Sequence, residues 1–144
     1  MKYKIIKKMK KNLLAFLISF IVMFILGGLW NAIIMNDFYI NNSPTIIRPE
    51  EDFNLPIIAL GYLILSAIMT LIVVKNFNEN PKFIRGFIFG ATFGLAATLP
   101  LYLILWGRWD FPLVYGLVDT LWHLMEQGIG AVVLCKVIYS NKKI

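Results

Sequence analysis

Four long apolar stretches decide what this chain can become. They run from about Leu13 to Met35, Leu55 to Val74, Phe87 to Trp106 and Phe111 to Tyr139, and each can cross about 30 Å of hydrocarbon as a helix. Their apolar residues cover every face instead of alternating, unlike the strands of a membrane barrel. A helix also satisfies its own backbone hydrogen bonds in lipid. A chain of 144 residues that is 59% hydrophobic and only 15% charged is too apolar for a soluble domain of this size. The expected fold class is therefore all-α: a four-helix transmembrane bundle forming a single integral membrane domain over residues 1–144.

The first stretch follows the basic start MKYKIIKKMKKN. It is longer than the roughly 7 to 15 apolar residues of a signal-peptide core, and LGGLWNAIIMNDFY offers no Ala-x-Ala cleavage site. It reads as a retained helix.

Basic residues set the expected orientation, because they collect in short loops on the cytoplasmic side. Lys2, Lys4, Lys7, Lys8, Lys10 and Lys11 precede the first helix, Lys75, Lys82 and Arg85 flank the connection between the second and third, and Lys136, Lys142 and Lys143 end the chain. Only Arg48 and Arg108 fall on the other side. Both termini are thus expected in the cytoplasm and the protein in a cell membrane, a bacterial cytoplasmic membrane in the first instance. The net charge of +6 follows from this topology. It makes the lipid bilayer, with anionic headgroups at the Lys-rich N-terminus, the expected partner, and nucleic acid an unneeded one.

The outer connection NDFYINNSPTIIRPEEDFN is the longest and reads as a surface link, with Glu50, Glu51 and Asp52 favouring the start of the second helix. KNFNENPK reads as a short turn between two antiparallel neighbours. In the third helix Gly86, Gly90, Gly94 and Thr98 recur every four residues, the pattern of a helix-packing seam inside the bundle or of a parallel homodimer contact. Pro100 is expected to bend that helix. In WGRWDFP, Trp106 and Trp109 suit the interfacial aromatic belt, and Asp110 and Pro112 suit the start of the fourth helix. The single cysteine, Cys135, reads as packing filler.

The fourth stretch carries VDTLWHLMEQG, with two acids and the only histidine. Helical residues are separated by about 100°, so Asp119, His123, Glu126 and Gly130 share one narrow stripe. A charge at this depth costs about 2.5 to 3.5 kcal/mol on insertion scales, so the stripe should face the bundle interior. Asp119 and His123, one turn apart, can pair, while Glu126 needs a proton, a cation or His123 beside it. Asn31, Tyr62, Ser66, Thr98 and Tyr102 are the other polar candidates in the outer half, where a cavity opening outward is expected. Together Asp119, His123, Glu126, Asn31 and Tyr62 form the candidate ligand- or ion-binding set.

Three readings of the stripe remain. It makes interhelical hydrogen bonds only, or it binds or passes a small polar ligand, proton or cation, or it holds a metal or haem. In the second, Asp119 receives the ligand or cation, His123 exchanges protons and Glu126 holds the deeper charge. The metal reading is the poorest, since there is no other histidine and no second Glu-x-x-His to complete a ligand set. No metal and no cofactor are expected. No hydrolase, Walker or zinc-protease signature occurs, so the chain leans away from enzymes. The rival functional class is a non-catalytic accessory or scaffold subunit, whose stripe associates with another membrane protein.

Leu29-Trp30, Phe38-Tyr39, Arg85-Gly86, Phe93-Gly94-Leu95 and Val118-Asp119 followed by Trp122 stand in an order that resembles a bacterial family of small four-helix membrane proteins of unknown function. The resemblance runs from the first helix to the fourth. The chain departs from it late in the third helix, where LPLYLIL replaces a Tyr-Asp-Leu-Thr element, and at His123, where the family has a small residue. It implies the fold and a site shared at Asp119 and Trp122, and it brings no activity with it.

Overall fold

The structure is a computed structural model, described over residues 2–44, 47–48, 50–77 and 81–140. Helix α1 (Lys2–Leu29) runs into a π-helical turn (Trp30–Ile34) and then a short α2 (Asn36–Asn42). A 3-10 turn (Glu50–Asp52) precedes α3 (Leu55–Asn76), followed by α4 (Phe83–Arg108) and α5 (Leu113–Tyr139). Four spans are long and apolar enough to cross a membrane: Ile6–Ile34, Leu55–Asn76, Phe83–Arg108 and Leu113–Tyr139. Among the described residues there is no strand.

The spans follow the four apolar stretches, with three local differences. The basic N-terminal run is itself helical, so α1 starts at Lys2 and not near Leu13. α4 continues through Pro100 to Arg108. Pro112, not Asp110, stands at the N-cap of α5, and no side chain caps that end. α3 starts more conventionally: the Asn54 side chain accepts from the Ile57 amide at 3.3 Å, and Pro56 occupies the first turn.

The arrangement of the helices follows their polarity. α5 is the least apolar span, with a mean hydropathy of 1.3 against 1.9 to 2.7, and half of its most apolar window is buried, against 17 to 22% in the others. A helix carrying ionisable groups is most stable where its neighbours shield it from lipid, and α5 takes that central place. α4 and α1 pack along it, and α3 lies mainly on α1. The turn after α3 therefore does not join the closest neighbours, because α4 spends its small-residue face on α5.

That face is a tight seam. A Cβ on Gly90 would come within 2.6 Å of the Ala131 side chain, one on Gly94 within 2.8 Å of the Gln127 side chain, and both would meet α5 backbone carbonyls. Gly86 lies above Val132 and Cys135 at ordinary contact distance. Ala15, Met23, Met69, Val73, Ala131, Leu134 and Cys135 fill the core toward the chain ends. There Lys11 Nζ donates to the Ser140 carbonyl at 2.6 Å, so both ends of the chain share one end of the bundle.

Candidate functional site

The polar stripe of α5 turns inward. Asp119 is 6% exposed, Glu126 fully buried and Gln127 1% exposed. His123 links the two acids. Its Nε2 lies 3.3 Å from Asp119 Oδ2, and its Nδ1 lies 3.0 Å from Glu126 Oε2. The spacing explains the bridge: residues four before and three after His123 lie on the same helical face, one above and one below the ring.

Each carboxylate takes further donors, all but one of them from other elements. Tyr102 of α4 donates to Asp119 Oδ2 at 2.6 Å, and Tyr39 of α2 donates to Asp119 Oδ1 at 3.1 Å. Tyr62 of α3 donates to Glu126 Oε1 at 2.9 Å, and Gln127 Nε2 donates to Glu126 Oε2 at 3.0 Å. Three phenols from three helices thus converge on two acids of a fourth. On α1, Gly27 makes room for this: a Cβ there would lie 2.8 Å from Glu126 Oε1 and would overlap the Tyr62 hydroxyl.

The π-helical turn and α2 form the roof. Tyr39, 8% exposed, reaches from α2 into the bundle, and its oxygen accepts the Trp30 Nε1 hydrogen at 3.0 Å while its own proton goes to Asp119. Burial and the neighbouring Asp119 carboxylate hold the Tyr39 hydroxyl above the ordinary tyrosine range. Trp30 stacks on Trp122 with ring centroids 4.3 Å apart and planes 2° from parallel. Tyr115 packs edge-on against Tyr39 and Phe111, and Phe111 stacks on Tyr102. Trp30 belongs to the π-helical turn, a local distortion frequent at functional sites, which here ends the long helix where α2 must fold back.

Several expectations change with this geometry. The outer link is not merely a surface strap, since Tyr39 is part of the core. Aromatic rings and hydroxyls surround the two acids of the stripe, while the His123 side chain between them is 23% exposed. Cavities of about 120 Å³, beside Lys82, Cys135 and Lys136, and about 350 Å³, beside Met9, Phe16 and Leu71, are lined by other residues. Tyr62 meets the cluster, whereas Asn31 donates to the Gly27 carbonyl of its own helix at 2.9 Å. Ser66 and Thr98 likewise bond backbone carbonyls, of Phe16 and Gly94. Gly130 faces Met23 and Ser19. The Gly86, Gly90 and Gly94 face is covered by α5 of the same chain, so a homodimer along it would have to displace α5. Sequence reasoning left Tyr39, Gly27 and Gln127 out of the site. Tyr39 stood in a motif of the family resemblance, the one signal that pointed to it.

Chemically, the cluster is a set of acceptors held by donors. A carboxylate oxygen only accepts, so two ring nitrogens facing two carboxylates each call for a proton between them. With both acids ionised and the ring protonated, the cluster would carry one negative charge in excess. Among the described residues the ion pairs are the two made by His123, so no lysine or arginine balances it.

No curated protein and no solved structure matches the chain. The model of a family described as predicted membrane protein, DUF2177, matches it over residues 12–135, which takes in most of the first and fourth spans, all of the second and third, the aromatic roof and the whole cluster. The chain belongs to that family.

Proposed function

We propose that this multi-pass membrane protein binds, and by exchange passes, a proton at the Asp119, His123 and Glu126 cluster. The observation that carries the reading is the single imidazole bridging two buried carboxylates, with no lysine or arginine paired to either among the described residues. An uncompensated charge deep in a bilayer is costly, and one added proton removes it. A metal or organic cation would need room and would have to displace hydroxyls of Tyr39, Tyr62 or Tyr102. A proton needs neither. The basic asymmetry supports cytoplasmic termini in a bacterial cell membrane, with anionic headgroups at the Lys-rich N-terminus.

Proteoliposomes holding a pH-sensitive dye test the reading under an imposed pH gradient. Wild-type protein should dissipate the gradient faster than protein-free vesicles, and His123→Ala or Glu126→Gln should return the rate to the protein-free value. Equal rates for all three proteins would overturn it. If those substitutions left the gradient unaffected and released a co-purifying membrane protein, the accessory-subunit reading would take its place.

A further inference from the structure

Two carboxyl groups share His123, yet their surroundings are not equivalent. Asp119 meets one donor that cannot reverse. The oxygen of Tyr39 already accepts from Trp30 Nε1, so its own hydrogen points to Asp119 Oδ1. Tyr102 donates to Oδ2 at 2.6 Å, and His123 Nε2 faces the same oxygen. A proton arriving on Asp119 Oδ1 would meet the fixed Tyr39 donor, which has no other orientation free to it. The locked Tyr39 donor favours the carboxylate form of Asp119.

Glu126 has reversible neighbours. The Tyr62 hydroxyl can donate or accept. The Gln127 side chain offers either its NH₂ or its carbonyl, according to how the amide is turned. In the arrangement described, Gln127 Nε2 donates to Glu126 Oε2 and lies 3.4 Å from His123 Nδ1, so two N–H groups face each other whenever Nδ1 carries a hydrogen. Gln127 Oε1 is buried and receives no hydrogen. Turning the amide by half a revolution places a carbonyl oxygen where Nε2 now stands. It would then accept from His123 Nδ1 and from a hydroxyl proton on Glu126 Oε2. The present orientation suits ionised Glu126, and the reversed one suits Glu126 carrying a proton.

The geometry points to Glu126 as the carboxyl that takes up the exchangeable proton, with Asp119 as the permanent counter-charge of His123 and Gln127 as the positioning residue whose amide reverses with each exchange. This rests on the proton-site reading above and names the group that does the work. The titratable groups around Glu126 are Tyr62 from α3 and His123 from α5, and through His123 the Asp119 carboxylate with Tyr102 from α4 and Tyr39 from α2. From α1 the facing residue is Gly27, which does not titrate.

Infrared difference spectroscopy of the protein in lipid nanodiscs, between alkaline and acidic pH, reads this directly. Wild-type protein should gain a protonated-carboxyl C=O band that shifts on ¹³C labelling of glutamate side chains, and not of aspartate. The band should disappear in Glu126→Gln and persist in Asp119→Asn. A side-chain amide C=O signal, identified by its loss in Gln127→Leu, should change with the same pH midpoint as the band. A band that shifts with labelled aspartate, or an amide signal indifferent to pH, would overturn the assignment and leave the proton-site reading standing. Absence of any buried-carboxyl band, with a spectrum identical in wild type and Glu126→Gln, would overturn both. The labelling arm uses the unsubstituted protein, so it decides the matter even where a variant fails to fold.

Discussion

The Tyr39 hydroxyl donates to Asp119 Oδ1 at 3.1 Å across 80 residues of sequence, tying α2 to the first third of the central helix. The Tyr39 oxygen in turn accepts from Trp30 Nε1, whose ring stacks on Trp122 beside the cluster. One side chain thus closes the outer end of the bundle and supplies a hydrogen bond to a buried charge. Such a bond is worth more than a neutral one because the acceptor is ionised and shielded from water.

Tyr39→Phe should therefore lower stability by about 2 kcal/mol, since it removes a donor from Asp119 and leaves the Trp30 N–H without its acceptor. Thermal unfolding in detergent measures the loss, and hydrogen exchange over residues 36–42 should rise with it. Unchanged exchange there would mean that α2 is held by apolar packing alone.

The raised position of the Tyr39 hydroxyl makes its contribution pH-dependent at the alkaline end. In the unfolded chain a tyrosine loses its proton near about pH 10. In the folded protein Tyr39 keeps it to higher pH, so the folded state binds more protons above that point and loses stability as pH rises. Stability from this residue should be complete below about pH 10 and fall above it. Melting temperature followed across that range should show the alkaline decline in wild type and a smaller one in Tyr39→Phe.

Gly90→Ala places a methyl group against the Gln127 backbone and the Ala131 side chain. A main-chain carbonyl on a neighbouring helix cannot move aside, so α4 and α5 must separate, at a cost of about 1 to 3 kcal/mol. Gly61→Ala makes a clean control, because nothing lies within 4 Å of its added Cβ. There the helix propensity of alanine should leave stability equal or raised by up to about 1 kcal/mol. Melting temperatures of the two variants should move apart.

Orientation can be read with single cysteines placed in a Cys135→Ser background. A membrane-impermeant maleimide added to intact cells should label a cysteine at Asn41. It should label one at Lys8 or Ser140 only after permeabilisation. The reverse pattern would place the basic end of the bundle outside.

The sequence by itself determined the membrane class, the four spans and the inward turn of the α5 stripe. Those follow from length, hydropathy and 100° periodicity, which are local properties of a helix in lipid. It also placed Asp119 and His123 within reach of each other, because partners one turn apart need no tertiary information. What surrounds the pair was decided only by the tertiary structure. Tyr39 looked like part of a polar surface link because nothing local says that a seven-residue helix folds back over the bundle. Gly27 is two residues from Leu29 in a long apolar run, and its smallness matters only because Tyr62 and Glu126 meet beside it. The glycine stripe of α4 announced close packing, but the identity of the covering surface depended on which helix took the centre. α5 took it because its ionisable side chains gain most from leaving the lipid, and the partners of those side chains, hence their chemistry, came from chain segments distant in sequence.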